Sequence, residues 1–390
     1  MPWKDSRPMD ERVLFVADYL RELYSFSELC ARYRVSRKTG YKWIERYRQE
    51  GAEGLEERSR RPLGHPAQLP YALQQAIIEL RGSRRTELGP KKIQARLRER
   101  YPGEPVPSRT TIYNVLKRAG LIASRRLRRR AARSGGVSNS IQAPNALWSA
   151  DFKGQFLTGD ARWCYPLTVM DHSSRYLLDC RALPGTRTAP TQSAFERLFR
   201  RYGLPQRLRT DNGVPFASTG TAGLSRLSIW WIRLGIVPER IEPGRPQQNG
   251  RHERMHRTLK RATLQPPASN ATVQQRRFDL FCQHYNVERP HEALAQHTPA
   301  SLYTPSLRPY PRRLPELTYP GYIHVHRVCS GGLIYWNAWQ IYVGYLLAGE
   351  QVGVEAVDDG VWKVHFGPVC LGGFDERNAK KGEDYLNLKL

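Results

Sequence analysis

Cysteine is sparse in this 390-residue chain, and its six copies are scattered: Cys30, Cys164, Cys180, Cys282, Cys329 and Cys370. None forms a Cys-x-x-Cys pair, so the spacing offers neither a zinc site nor a disulfide framework. A reduced, cytoplasmic setting is the expectation. Long apolar runs are missing too. No stretch approaches the roughly 18–20 residues that span a bilayer, and Met1 to Asp10 is polar, without a signal-peptide core. No membrane partner is expected. Acids are also scarce: 36 Asp and Glu stand against 62 Lys and Arg, a net charge of +26. That surplus attracts polyanions through counterion release. A merely solubilising charge is the bland alternative, but here the basic residues cluster.

What is present suffices for real cores. Hydrophobic residues make up 40% of the chain, which excludes a disordered polymer. At roughly 100–200 residues per domain, the length predicts two to four domains. Residues from about 10 to 60 read as short helices, with Ser36 as an N-cap and Gly51 as a stop. A loop rich in Arg, Pro and Gly follows, from Arg58 to Pro70. A second helical unit runs over 71–122 and closes at Gly120. The densest charge run, Arg125 to Arg133, then opens a basic linker over 123–143.

From about 144 the pattern changes. Leu147 to Leu157, Trp163 to Met170 and Arg175 to Leu183 read as strands, with a turn at Asp171 to Ser174. Thr191 to Tyr202 reads as an amphipathic helix and Arg207 to Thr210 as a short strand. Helical segments follow around 222–234 and 247–263, with a strand near Ile236 to Arg240 between them. Strands first, then strands alternating with helices, predict an α/β domain with a mixed sheet. The last region, 315–390, is rich in Val, Ile, Tyr, Trp and Gly and reads as a small β-barrel or sandwich.

Phe26 to Gln49 fits a helix-turn-helix. Its second helix would expose Arg37, Lys38, Thr39, Tyr41 and Lys42 near the amino end, where such helices reach base edges. Trp43, Ile44 and Tyr47 would face the core. The second unit repeats the logic, with Ser108 capping a helix that begins Arg109, Thr110, Thr111. Each unit alone is equally consistent with a three-helix bundle bearing a solvated basic face. Two in tandem beside a basic linker favour double-stranded DNA as the partner. Arg125, Arg126, Arg128, Arg129 and Arg130 would then follow phosphates or a minor groove.

Three acids stand in telling contexts. Leu147-Trp-Ser-Ala-Asp151-Phe-Lys153 sets an acid within a largely apolar strand, which is costly unless a metal or a charge compensates it. In Leu208-Arg-Thr-Asp211-Asn-Gly213 a strand ends in an acid and Asn-Gly makes the turn. Strand ends of open α/β sheets are where ligands bind. Gly244 to Lys260 carries Glu253, with His256, Arg257 and Lys260 at i+3, i+4 and i+7, predicted to share one helix face. Two divalent ions about 3.5–4 Å apart activate the attacking oxygen and stabilise the leaving one in a phosphoryl displacement. Mg²⁺ or Mn²⁺ takes oxygen ligands for that work. Each acid also has a bland reading: turn chemistry for Asp211, a solvated residue or an Arg257 partner for Glu253, a satisfied edge-strand acid for Asp151. Asp160, Asp171, Asp179 and Glu242 compete in weaker contexts, and His252 and His256 read as exposed helix residues.

Trp148-Ser-Ala-Asp151, Thr210-Asp-Asn-Gly213 and Pro246-Gln-Gln-Asn-Gly-Arg-His-Glu253-Arg together resemble the core of retroviral-integrase-type DDE transposases of bacterial insertion sequences. Tyr285-Asn-Val-Glu-Arg-Pro-His291 through Thr298-Pro-Ala300 resembles the end of that core. The similarity covers 144–305. It implies a ribonuclease-H-like catalytic core with Asp151 on the first strand, Asp211 after the fourth and Glu253 on the following catalytic helix. It also implies Mg²⁺ or Mn²⁺ dependence, with two ions held by those three carboxylates, and assembly as a homo-oligomer on paired transposon ends. One departure is visible: 41 residues separate Asp211 from Glu253, more than in the family's better-known members. The extra length is expected in Ala217 to Trp231. The zinc domain that begins the viral enzymes is absent, and helix-turn-helix units stand in its place.

The expectation is therefore a multidomain α/β protein. Residues 1–60 and 71–122 would be helix-turn-helix DNA-binding domains, 123–143 a basic linker, 144–305 the catalytic core and 315–390 a small β-rich domain. It would bind terminal inverted repeats in a bacterial, nucleoid-associated setting, cleave at the 3′ end and transfer the strand. Two rivals remain: a DNA-binding regulator without catalysis, and a nuclease that never joins.

Overall fold

The computed structural model describes residues 8–58, 69–82, 88–122, 143–242, 250–378, 385–386 and 388. The basic run Arg125 to Arg130 and the Pro246–Asn249 part of the third motif lie outside them. Contacts divide the chain into two units, Met1–Leu69 and Pro70–Leu390.

The first unit packs α1 (Pro8–Leu20), α2 (Phe26–Arg32) and α3 (Arg37–Glu50) around Phe15, Leu29, Cys30, Trp43 and Ile44. Ser25 and Glu28 form a reciprocal capping box at the start of α2. Ser36 Oγ accepts from the Thr39 amide at 3.2 Å and starts α3 where the sequence predicts it. Gly40 lies inside α3 because the helices cross closely there: a Cβ would stand 2.8 Å from Cys30 Sγ.

In the second unit, α4 (Tyr71–Gly82), α5 (Pro90–Arg100) and α6 (Arg109–Arg118) bury Ile77, Ile93, Leu97 and Ile112. Ser108 caps α6 as Ser36 caps α3. A mixed sheet follows in the order β2-β3-β1-β5-β6, with β4 also paired to β3. Its strands are β1 (Leu147–Phe152), β2 (Phe156–Leu157), β3 (Trp163–Asp171), β4 (Leu177–Leu183), β5 (Arg207–Thr210) and β6 (Val237–Arg240). The Leu147–Leu157 stretch is thus two strands, interrupted at Lys153 to Gln155. The β1–β3 and β3–β4 pairs are antiparallel; β1–β5 and β5–β6 are parallel.

Helices cover both faces. α7 (Thr188–Tyr202) and α8 (Arg226–Arg233) pack with Trp148, Ala150, Leu167 and Val169. α9 (Gly250–Thr263) and α10 (Ala271–Gln283) pack with Met170, Leu177 and Cys180 through Met255, Leu259, Phe278 and Phe281. Asn286 holds the edge beyond α10: its side chain accepts from Leu177 N at 2.8 Å and donates to Leu177 O at 2.9 Å.

Most of α8 lies in the Ala217–Trp231 stretch, and the helix serves two cores. Leu227, Trp230 and Trp231 face the sheet, whereas Ile229 and Ile232 join the hydrophobic core of the carboxy-terminal strands. Those strands are β7 (His324–Arg327), β8 (Leu333–Trp336), β9 (Trp339–Tyr342), β10 (Gln351–Asp358), β11 (Val361–Phe366), β12 (Val369–Asp375) and β13 (Tyr385–Leu386). They form two sheets, β12-β11-β10-β7 and β13-β9-β8, around one apolar core.

Candidate active site

Alternation along β1 decides which way each residue of Leu147-Trp-Ser-Ala-Asp-Phe152 turns. Trp148 and Ala150 enter the core beneath α7 and α8. Ser149 and Asp151 therefore face α9. The antiparallel register sets Asp151 opposite Thr168 and Ser149 opposite Met170 on that same face.

The parallel register brings in the second acid. Ser149 stands beside Arg209, and β5 ends at Thr210. Asp211 is the next residue, so the two acids leave the carboxyl ends of neighbouring strands at the same level. Asp211 Oδ1 accepts from the Gly213 amide at 3.1 Å, and Asn212 Nδ2 donates to Ile241 O at 3.0 Å. The Asn-Gly turn thus fixes the carboxylate where the strand releases it.

α9 carries the third acid. Arg251 Nη1 donates to His172 O at 2.7 Å, which ties the first turn of the helix to the loop after β3. Met255 and Leu259 lock the next turns into the core. Glu253, Arg257 and Lys260 point outward. His256 does not share their face, contrary to the sequence expectation. Nor are His252 and His256 exposed: their relative accessibilities are 0% and 7%. At i and i+4 the two rings sit on the sheet-facing side, and polar partners there offset the cost of burying them. His252 Nδ1 lies 2.9 Å from Ser149 Oγ, and the Nε2 atoms of His252 and His256 lie 3.0 and 2.7 Å from Thr168 Oγ1. Burial pushes His252 down to about 4 and, with nearby His252 and Lys153, pushes His256 down to about 2. Both imidazoles are neutral at physiological pH. His256 Nδ1 also approaches Asp151 Oδ2, at 3.8 Å.

Asp151 is thus brought to α9 and to the strand end that carries Asp211. Glu253 is on α9, one turn before His256. Among the described residues, no three His, Cys, Asp or Glu side chains are gathered closely enough to form a ready metal cluster. The competing acids have structural partners. Asp171 ends β3 and accepts from Asn145 N, Ser174 N and Ser174 Oγ at 2.6–2.8 Å; burial raises its carboxyl. Asp179 pairs with Arg181 at 3.2 Å, Asp160 accepts from Thr158 Oγ1, and Glu242 is exposed just past β6.

The sequence signal for the buried polar cluster was present but faint. Thr168 is the one polar residue inside the run Leu167 to Met170, and His252 and His256 stand at helical spacing. Reading them required knowing which side of α9 meets the sheet.

Of the expected DNA readers, Arg37, Lys38, Tyr41 and Lys42 are exposed on α3, while Thr39 is half-buried against Ser36. Tyr41 stacks on Phe26 at 4.0 Å, and the Lys42 ammonium lies 4.8 Å from the Trp43 ring centre. Arg109 and Thr110 are exposed at the start of α6, and Thr111 is half-buried.

Residues 141–246 and 234–299 match the family described as integrase core domain. Residues 11–62 match a helix-turn-helix domain and 39–116 a homeodomain-like domain. The chain carries an integrase core. Proteins of insertion elements are similar to it: an uncharacterized 39.2 kDa protein of insertion element IS476 from Xanthomonas euvesicatoria is 29% identical over 241 residues, covering 60% of this chain and 65% of that protein. An uncharacterized 31.7 kDa protein of insertion element IS407 from Burkholderia multivorans is also 29% identical, over 47% of this chain and 64% of that protein. The chain therefore spans under two thirds of the length of these relatives. The chain is also similar to the HTLV-2 integrase catalytic core domain, solved in complex with magnesium, at 16% identity and a TM-score of 0.33, over 41% of this chain and 97% of that one. No described helix is long and apolar enough to cross a membrane.

Proposed function

We propose that the chain is a DNA transposase. Its helix-turn-helix domains bind the terminal inverted repeats of a mobile element. Its integrase core cleaves the 3′ end and transfers the strand through Asp151, Asp211 and Glu253. The observation that carries this reading is the register: β1 and β5 run parallel and release Asp151 and Asp211 at adjacent strand ends, under the helix that bears Glu253.

The donor set suits Mg²⁺ or Mn²⁺. Hard ions take oxygen ligands, often one or two carboxylates with phosphate oxygens and water completing the shell. A loosely gathered acid set fits that mode better than a closed protein cage. When bound, such ions lower the pKa of the attacking hydroxyl or water and offset charge on the leaving oxygen. The protein's own residues do the rest. The Asn212-Gly213 turn holds Asp211, the Thr168 hydroxyl holds the Asp151 backbone, and the exposed Arg257 and Lys260 offer phosphate contacts beside Glu253. The Arg125–Arg130 run would add phosphate contacts of its own. Assembly as a homo-oligomer on paired ends belongs to the same proposal.

Strand transfer in Mg²⁺ tests it. Purified protein is offered the ends of its own flanking element and a plasmid target. Wild type is expected to join them, whereas Asp151→Asn, Asp211→Asn and Glu253→Gln bind the ends and do not join. Joining by the variants at the wild-type rate overturns the site. Specific binding by every form without any joining makes the chain a regulator, and hydrolysis without joining makes it a nuclease.

A further inference from the structure

The first unit carries a cavity of about 450 Å³ lined by α1, α3 and the segment that follows α3. Trp43, 9% exposed, gathers three cations there. The Arg12 guanidinium lies 4.0 Å from its ring centre, the Lys42 ammonium 4.8 Å and the Arg46 guanidinium 5.1 Å. An indole face attracts cations, which helps hold three like charges round one side chain. Spacing on α3 explains the grouping. Thr39, Lys42, Trp43 and Arg46 stand at i, i+3, i+4 and i+7 and line the cavity together. Arg37, Lys38 and Tyr41 do not line it, and Tyr41 stacks on Phe26 instead.

The cations are not equally answered. Arg12 is fixed: its Nη1 donates to Leu55 O and its Nη2 to Glu57 Oε1, both at 2.9 Å. Arg58, also on the wall, pairs with Glu50. Among the described residues the ion pairs of this wall engage Arg12 and Arg58, and Lys42 and Arg46 form none. Glu11 and Glu57 complete the lining, so four cations face two acids, one of which Arg12 already engages. The surplus suits an anion with several acceptor oxygens, as a phosphodiester has. The position suits one source of it. When the second helix of a helix-turn-helix enters the major groove, the first crosses the backbone, and this cavity lies between α3 and α1.

We propose that Lys42 and Arg46, with Arg12 fixed beside them, seat one backbone phosphate of double-stranded DNA. The inference rests on the DNA-binding reading above and deepens it. Lys42 holds the backbone rather than reading a base, and base readout on α3 falls to Arg37 and Lys38. A phosphate contact fixes the register of the domain on the duplex and carries no sequence information of its own.

Fluorescence anisotropy of the full-length protein tests this on two labelled duplexes, one bearing the end of the flanking element and one of unrelated sequence. The logarithm of the binding constant falls with the logarithm of salt concentration by about 0.9 for each phosphate neutralised. The double variant Lys42→Gln, Arg46→Gln is expected to weaken binding to both duplexes by the same factor. It is expected to lower the slope by about one, because two cations on one phosphate count once. Its deficit at about 50 mM salt should then shrink about threefold by about 200 mM. A slope lowered by about two means separate phosphates, and an unchanged slope means none; either overturns the proposal. So does a loss confined to the element's end, which makes Lys42 a base reader. Should a thermal melt show the double variant unfolded, Lys42→Gln, at an exposed position, replaces it and must weaken both duplexes equally. Wild-type binding with an unchanged variant removes the phosphate seat alone. No salt-dependent duplex binding by wild type removes the helix-turn-helix reading and the seat with it.

Discussion

β1 shows two different environments on its two sides. Trp148 and Ala150 meet aromatic and aliphatic side chains from α7 and α8, with Trp148 stacked on Phe199 at 6.1 Å. Ser149 and Asp151, the alternating residues, meet Thr168, His252 and His256. One face is dry packing whose strength comes from excluded area. The other is a hydrogen-bond network whose strength depends on every proton having a destination. Neighbouring residues of one strand thus meet two kinds of packing. Substitutions should sort by parity.

The largest effect is expected at the boundary of function and fold. Asp151→Asn should abolish joining. It should not destabilise the core, because the amide keeps the carboxylate's shape and the backbone carbonyl keeps its bond from the Thr168 hydroxyl. An unchanged urea midpoint is the expected result. A loss instead would mean that Asp151 supports the fold, and the division between the faces would break. Trp148→Ala on the dry side should cost about 3–5 kcal/mol, which the same denaturation measures. Its indole donation to Asn145 Oδ1 at 3.0 Å is lost as well.

Thr168→Val tests the network itself. The volume is conserved, but two imidazole nitrogens and Asp151 O lose their hydroxyl partner. The expected cost is about 2 kcal/mol, with an unchanged denaturant slope. A neutral result would show that the hydroxyl's bonds to the two rings contribute nothing net to stability.

Acid should weaken the fold through two further buried histidines. Burial and nearby Arg251 push His172 down to about 2, and burial and nearby Lys92 push His291 down to about 3. A group whose folded pKa is depressed binds fewer protons when folded. Its stability is complete above the unfolded value of about 6.5 and falls as pH drops below it. Each histidine can remove up to about 1.4 kcal/mol per pH unit in that window. Asp171 and Asp179, whose carboxyls burial raises, act in the opposite sense only nearer the carboxylate range. Urea midpoints at pH 7 and pH 5 should therefore differ, with the lower at pH 5. Equal midpoints would show that these rings charge without cost.

Much of this was legible in the residues. Ser36 and Ser108 announce helix starts by cap chemistry alone, a local signal. Arg207 to Thr210 and the Asp211 turn could be read because a strand and an Asn-Gly turn are also local. His252 and His256 were misread because their burial is tertiary: nothing within α9 says which side the sheet will cover. The same limit hid the second role of α8. Its sequence, Arg226-Leu-Ser-Ile-Trp-Trp-Ile-Arg233, is apolar enough for a helix buried on two sides, but most of the second partner comes far later in the chain, from Val328 onward.

An exposed charge pair gives the opposite case to the Thr168 network, and the smallest effect. Lys91 on α5 meets Glu292, just past the Arg289-Pro290-His291 segment, at 2.5 Å. The contact lowers the Glu292 carboxyl, so charge is engaged. Yet the two side chains are 50% and 70% exposed. Water solvates both ions equally well apart, and salt screens what attraction remains. Glu292→Gln should therefore leave the urea midpoint unchanged at physiological salt, although its geometry is shorter than any bond to Thr168. A measurable drop would mean that this pair anchors α5 to the integrase core, and that exposure is a poor guide to which polar contacts hold this protein together.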